Sequence, residues 1–290
     1  MAGVFQAQKT ALITGAASGV GFAIAKLCRT KGMHLALVDI DAENLSKAKS
    51  MLTQLDPSLK TESYTLDVSD VPGWKHTAES ISRTLPDIDL VVLNAGKAFR
   101  RQDQTAGRLS PWLDGSYWRK TLETNVYGPL NGLQSLLPLL LASKSQTPKS
   151  IVVTGSKQGI TNPPGAGNPA YNASKAAIKS LTEHLAFDLR SDPTTAPYLR
   201  PPLDPWDEIT KPAGASYPSQ VAEELLKGME KGEFYIVCPD GETDRALDQA
   251  RMKWGSEDVV EGRPALSRWE ESWKARAEEA IQADAKRGRG

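Results

Sequence analysis

Five apolar runs recur through the first half of the chain: ALIT (11–14), HLALVD (34–39), SYTLDV (63–68), DLVVLN (89–94) and SIVVTG (150–155). They are rich in Val, Ile and Leu and mostly lack the apolar/polar alternation of a strand with one wet face, so they read as strands buried on both faces. Between them lie longer segments of helical period, near 19–31, 41–55, 73–84, 117–143 and 170–190. Strands alternating with helices predict an α/β fold built on a doubly wound parallel sheet.

The pattern changes after Arg190. Residues 191–220 hold seven prolines (193, 197, 201, 202, 205, 212 and 218). Proline cannot donate to a central ladder, so no interior strand is expected there. A helix, SQVAEELLKGMEKG (219–232), then leads into EFYIVC (233–238), which reads as one further strand. The rest is charged and partly helical. The expected organisation is a single domain over 1–240, with 191–220 an atypical proline-rich segment, followed by a C-terminal helical extension over 241–290.

Composition narrows the partners. The 290 residues carry 35 basic and 35 acidic side chains, and this zero net charge supplies no field to draw the chain to nucleic acid or to an anionic membrane. The two cysteines, Cys28 and Cys238, lie far apart in apolar segments and read as buried thiols of a reducing compartment. His34, His76 and His184 form no ligand-spaced cluster, so no metal is expected. MAGVFQAQKT lacks the pattern of a secretory leader, which makes a cytoplasmic protein the expectation. The most membrane-like stretch, 126–142, is a little short to span and is read as a buried or subunit-interface helix.

Candidate chemistry begins at TGAASGVG (14–21), between the first strand and the first helix. A phosphate reaches backbone N–H groups closely only where side chains are absent, and a helix N-terminus adds a favourable dipole. Gly15, Gly19 and Gly21, with Ser18 and Val20 between them, meet both conditions, although a glycine-rich turn is often only a turn. Asp39 strengthens the reading: it ends the second strand near the spacing at which a carboxylate meets the adenosine ribose, with Ile40 beside it. A carboxylate there repels a 2′-phosphate, favouring NAD over NADP. Lys31 and His34 are near enough in sequence to soften that preference. Together these features make the expected fold Rossmann-like.

A second constellation follows. An unassisted tyrosine is a poor base at neutral pH and needs a neighbouring cation to stabilise its phenolate. Lys175 stands four residues after Tyr171, on the same helix face. Ser156 lies just past the fifth strand, where such sheets bind ligands. Each has a plainer reading: Tyr171 as a packing residue, Lys175 as a solvated charge, Ser156 as a turn cap and Asn125 as a helix residue satisfying backbone.

TGAASGVG, LDV (66–68), NAG (94–96), TNVYG (124–128), TGS (154–156) and YNASK (171–175) occur in the order that resembles the short-chain dehydrogenase/reductase family, over about residues 9–190. The resemblance implies an NAD(H)-dependent oxidoreductase interconverting a secondary alcohol and a ketone. It implies that Tyr171 exchanges a proton with the substrate oxygen and that Ser156 polarises it. It also implies that Lys175 stabilises the phenolate and holds the nicotinamide ribose, with Asn125 supporting the relay. Asp67 and Val68 are expected to flank the adenine, and Asn94, Ala95 and Gly96 the adenosine side. The implied partners are a small-molecule alcohol or ketone and a second copy of the chain, as a homodimer or homotetramer through the helices at 117–143 and 170–190.

The sequence departs from that family after Arg190, where a sixth apolar strand ending in Pro-Gly is expected and YLRPPLDPWDEIT (198–210) stands instead. Loss of that strand exposes one edge of the fifth strand unless 233–238 pairs with it. The alternative reading is therefore a catalytically impaired dinucleotide-binding protein with a regulatory or assembly role. The substrate is not legible, although 98–118 combines arginines with Trp112, Tyr117 and Trp118 in a way that suits an aromatic or acidic ligand as well as it suits packing.

Overall fold

Four of the five apolar runs become the centre of a parallel sheet, and the run at 63–68 overlaps a half-buried strand at its edge. The computed structural model of the chain describes residues 4–85, 87–99, 110–143, 148–165, 169–191, 199–200, 217–239 and 243–288. Its strands are β1 (Thr10–Thr14), β2 (His34–Asp39), β3 (Thr61–Thr65), β4 (Ile88–Leu93), β5 (Lys149–Val153) and a two-residue β6 (Leu199–Arg200). They pair in the order β3-β2-β1-β4-β5-β6, every pairing parallel.

Side chains on alternate strand positions feed two cores, because successive residues of a strand face opposite ways. One face carries Ala11, Ile13, Leu35, Leu37, Leu90, Val92 and Val152, covered by α1 (Gly19–Thr30), α2 (Ala42–Leu55) and α8 (Pro218–Lys231). The other carries Leu12, Ala36, Val38, Val91, Leu93, Ile151 and Val153, covered by α3 (Val71–Thr84), α5 (Gly128–Ala142) and α7 (Pro169–Ser191). At about 1.5–3 kcal/mol for each large apolar side chain removed from water, these two layers hold the carboxyl ends of the strands in fixed relation. Cys28 is fully buried in the first core, and burial pushes its thiol up to about 12. Cys238 is half-buried beside the same core. No helix among the described residues is long and apolar enough to cross a membrane, and 126–142 becomes the end of a π-helical turn plus α5, with Leu133, Leu136 and Leu140 in the core.

Three expectations are corrected. First, 233–238 is not a strand. Ile236 is buried against Gly228 of α8, where a Cβ on that glycine would overlap Ile236, and Glu233 N donates to Gly228 O, so the segment packs back on α8. Second, the edge beyond β5 is not bare: Leu199 and Arg200 lie in register with Lys149 and Ser150. Pro201 and Pro202 follow at once and have no N–H to give a ladder. Third, His34 does not lie near Asp39. It begins β2 while Asp39 ends it, roughly 17 Å away at strand rise, and its ring binds Gln8 and the backbone N–H of Lys60.

The chain after β6 and α8 ends in α9 (Arg245–Val260) and α10 (Glu271–Arg287), which share a small core of Leu247, Ala250, Trp254, Ala277, Ile281 and Ala285. The pair is tied to the main body by the ion pair Lys157–Asp248, 2.9 Å long.

Candidate active site

The first turn after β1 is built for close approach. Gly15 and Gly19 adopt φ of 67° and 54°, a left-handed region that side chains resist. A Cβ on Gly21 would overlap the carbonyl oxygen of Gly15 and fall 2.7 Å from its carbonyl carbon, so the helix can begin this near the loop only with glycine there. Ser18 is the N-cap of α1, but its side chain makes no capping hydrogen bond. Val20 packs into the core, so toward the loop it offers only its backbone N–H. Asp39 closes the other side: its carboxylate accepts from Ala17 N at 2.9 Å and from Asp41 N at 3.0 Å. Ile40 next to it is 64 % exposed, an apolar surface beside a carboxylate.

Leu66 N donates to Asp39 O, which brings the 66–68 stretch to the end of β2. Asp67 there is exposed and accepts from Ser69. Val68 next to it packs into the core, and its carbonyl accepts from Trp74 Nε1 and Asn131 Nδ2. Asn94 is a brace between strands: its side chain donates to Thr14 O and accepts from Thr154 Oγ1, while the Asn94 and Ala95 amides share Thr14 Oγ1. These bonds fix the ends of β1, β4 and β5 to one another.

The second cluster lies at the ends of β4 and β5. Between α4 (Gly115–Leu122) and α5 the helix widens into a π-helical turn, Glu123–Tyr127, with Asn125 buried at its centre. Such turns are rare and are frequent at functional sites. Asn125 accepts from Lys97 N at 2.8 Å and donates to Lys97 O and Ser174 Oγ, both at 3.1 Å. Ser174 in turn donates to Tyr171 O. A Cβ on Gly96 would stand 3.3 Å from Asn125 Oδ1 and 3.4 Å from Lys175 Nζ, so these three residues converge. Lys175 is buried, donates to Thr154 O at 2.7 Å and holds its Nζ 5.8 Å from the centre of the Tyr171 ring. Ser156 accepts from Gln158 N at 3.1 Å. Its short helix α6 (Gln158–Thr161) abuts α7 because a Cβ on Gly159 would fall 2.5 Å from the Lys175 carbonyl carbon.

Some contributors were not legible in the sequence as part of this site. Tyr117 is buried near the start of α7; burial raises its pKa above the ordinary phenol value, and the backbone amides of Ala170 and Tyr171 oppose that shift. Thr14, Thr154 and Ser174 lie inside quoted motifs and Lys97 directly after one, and they act by hydrogen bonds that brace the site. Of the 98–118 stretch, Trp112 and Trp118 pack against each other with ring centres 5.3 Å apart, while Arg100, Arg101 and Arg108 lie outside the described residues. Among the described residues no group of His, Cys, Asp and Glu converges as metal ligands would.

A parallel sheet with two polar clusters over its carboxyl ends defines the class of doubly wound α/β proteins, whose ligands bind in that crevice. Within that class the family model for short chain dehydrogenase matches residues 9–201, and the chain belongs to that family of oxidoreductases. It is 28 % identical over 228 residues to an NAD-dependent glycerol dehydrogenase of Listeria innocua, covering 78 % of this chain and 81 % of that protein. It is 30 % identical over 192 residues to an uncharacterized oxidoreductase of Mycobacterium tuberculosis, covering 66 % and 71 %. Its fold is shared with a short chain dehydrogenase/reductase from Burkholderia phymatum in complex with NAD (TM-score 0.74, 23 % identity, 91 % and 97 % covered). It is also shared with an alcohol dehydrogenase from Thermococcus sibiricus complexed with 5-hydroxy-NADP (TM-score 0.66, 22 % identity, 82 % and 98 % covered).

Proposed function

We propose that the chain is an NAD(H)-dependent dehydrogenase that interconverts a secondary alcohol and a ketone, with the reaction carried by residues 1–240. The observation that carries this reading is the convergence of Gly96, Asn125 and Lys175 beside Tyr171. A dinucleotide fits the other cluster: Gly15 and Gly21 hold a close approach that a Cβ would block, Gly19 turns the loop at left-handed φ, the N-terminus of α1 opens onto it, and Asp39 and Ile40 suit a ribose and an adenine. The carboxylate at that position favours NAD over NADP. When bound, the cofactor exchanges a hydride with the substrate carbon.

The remaining work falls to the chain. Tyr171 gives its hydroxyl proton to the carbonyl oxygen in reduction and takes it back in oxidation. Lys175 places a buried cation beside the resulting phenolate, where low dielectric strengthens their attraction. Ser156 already accepts from Gln158 N, so its own proton is the one left to donate to the substrate oxygen. Asn125 positions: it clamps Lys97 and Ser174, and through Ser174 the first turn of α7 that bears Tyr171. Exposed Tyr127, Leu141 and Phe187 on the 123–142 helix and α7 support association of copies through those helices, as a homodimer or homotetramer.

The test is oxidation of NADH against a panel of ketones, with Ser156→Ala as the probe. Loss of one donor to a developing oxyanion is expected to lower kcat by about 10²–10³-fold. Turnover unaffected by Ser156→Ala would contradict this assignment. The sequence after Arg200 favours one second reading, a dinucleotide-binding protein without turnover: Pro201 and Pro202 follow the pairing of Leu199 and Arg200 with β5 and have no N–H to give a ladder.

A further inference from the structure

The C-terminal extension closes over one side of Ser156. Between α6 and α9 lies a cavity of about 160 Å³, lined by Ser156, Lys157, Thr161, Asp248, Arg251 and Arg268. At roughly 30 Å³ of liquid volume per water it has room for about five waters, or for a carboxylate on a short carbon chain. Its charges are unbalanced. Asp248 pairs with Lys157, whereas among the described residues neither Arg251 nor Arg268 makes an ion pair. The Nε of Arg251 is buried without a hydrogen-bond partner, and one of its terminal nitrogens donates only to Thr243 Oγ1 at 3.1 Å. Buried polar groups are seldom left so.

Both arginines stand on rigid supports. Arg251 follows Asp248 by one turn of α9, and the Lys157–Asp248 pair docks that turn against α6. Arg268 follows Ser267, which is fully buried and held at its amide and hydroxyl by Asp258 at 3.0 and 2.5 Å, with Trp254 Nε1 donating to the same hydroxyl. The Arg268 guanidinium lies over Trp269, 4.5 Å from the ring centre. Burial first, and then Arg251, push the Arg268 pKa down, with Glu278 and Asp248 opposing; like charges held together in a half-dry place are stabilised by an anion between them.

We propose that Arg251 and Arg268 form the anion-binding half of the substrate site, so that the ketones and alcohols turned over carry a carboxylate or phosphate group. The fork of an arginine matches either oxyanion in two parallel hydrogen bonds. Ser156 on the same wall relates this pocket to the reacting oxygen, and to that extent the inference rests on the proposed function. None of the motifs of residues 9–190 includes these arginines; the extension supplies them.

The binding half is tested without turnover. Malonate and, separately, inorganic phosphate are titrated calorimetrically into the full-length protein at constant ionic strength, with and without NADH. Saturable binding of one of them to wild type is expected, weakened about tenfold or more in Arg251→Gln and in Arg268→Gln, as loss of a charge-assisted bond implies, and unchanged in Arg276→Gln on exposed α10. Malonate preferred marks a carboxylate substrate and phosphate preferred a phosphorylated one. If a Gln variant fails to fold, Arg251→Lys and Arg268→Lys keep the charge without the fork, and weakening is still expected. Absence of saturable binding, or binding that the arginine variants retain, overturns the proposal. Anion binding that survives while NADH fails to bind overturns the oxidoreductase reading, and with it the assignment to a ketone or alcohol substrate, and leaves only the anion site at Arg251 and Arg268 standing.

Discussion

Tyr171→Phe is expected to lower kcat for carbonyl reduction by about 10²–10⁴-fold, the range supplied by a positioned general acid, while leaving NADH affinity within a few fold. The separation follows from placement. The ring of Tyr171 lies at the start of α7 beside Lys175, whereas the glycine turn and Asp39 belong to β1, α1 and β2. Removing one hydroxyl leaves the ring to fill its buried position, so the melting temperature is expected to move little. The check is a steady-state comparison at saturating NADH with a parallel binding titration. Equal turnover by wild type and variant would remove Tyr171 from the reaction and with it the proposed mechanism.

Gly21→Ala is expected to act at the other cluster, and more broadly. The added methyl would overlap the Gly15 carbonyl oxygen, a backbone atom with no rotamer to relieve it, and Asn94 Nδ2 stands 2.8 Å away on the same side. Either α1 shifts outward or the turn at Gly15 deforms, at about 1–3 kcal/mol for overpacking. Because Asn94 also holds Thr14 and Thr154, the displacement reaches the ends of β1 and β5. NADH affinity is expected to fall by tenfold or more, since about 1.4 kcal/mol lost from binding suffices for that. Urea denaturation and NADH titration of the same preparation check both parts; a variant as stable as wild type with unchanged NADH affinity would show that the close approach is not required.

These expectations rest on features of unequal legibility. The five strands and the helices between them could be read directly, because short β-branched apolar runs alternate regularly with longer segments of helical period. The glycine turn, Asp39, Ser156, Tyr171 and Lys175 were legible because each carries its chemistry within a few residues of a strand or helix end. The π-helical turn around Asn125 was not, since the phase shift that one extra residue brings reads the same as the end of one helix and the start of the next. EFYIVC misled for a related reason: an apolar run shows that side chains are buried, not whether the backbone pairs, and here Gly228 receives Ile236 in place of a sheet edge. Tyr117, Arg251 and Arg268 lay beyond reach because their roles depend on contacts with distant parts of the chain. Arg251, in α9, lines a cavity together with Ser156 of the central sheet's last turn.

The most direct measurement is a titration of the purified protein with NADH and, separately, with NADPH, followed by nicotinamide fluorescence. Saturable NADH binding with enhanced and blue-shifted emission, and weaker binding of NADPH, is the predicted result: it places the nicotinamide out of water beside Tyr171 and Lys175 despite the two-residue β6. Binding detected only by heat or thermal shift, with emission unchanged, would contradict the account, because the adenosine would then be held and the reacting ring left in solvent.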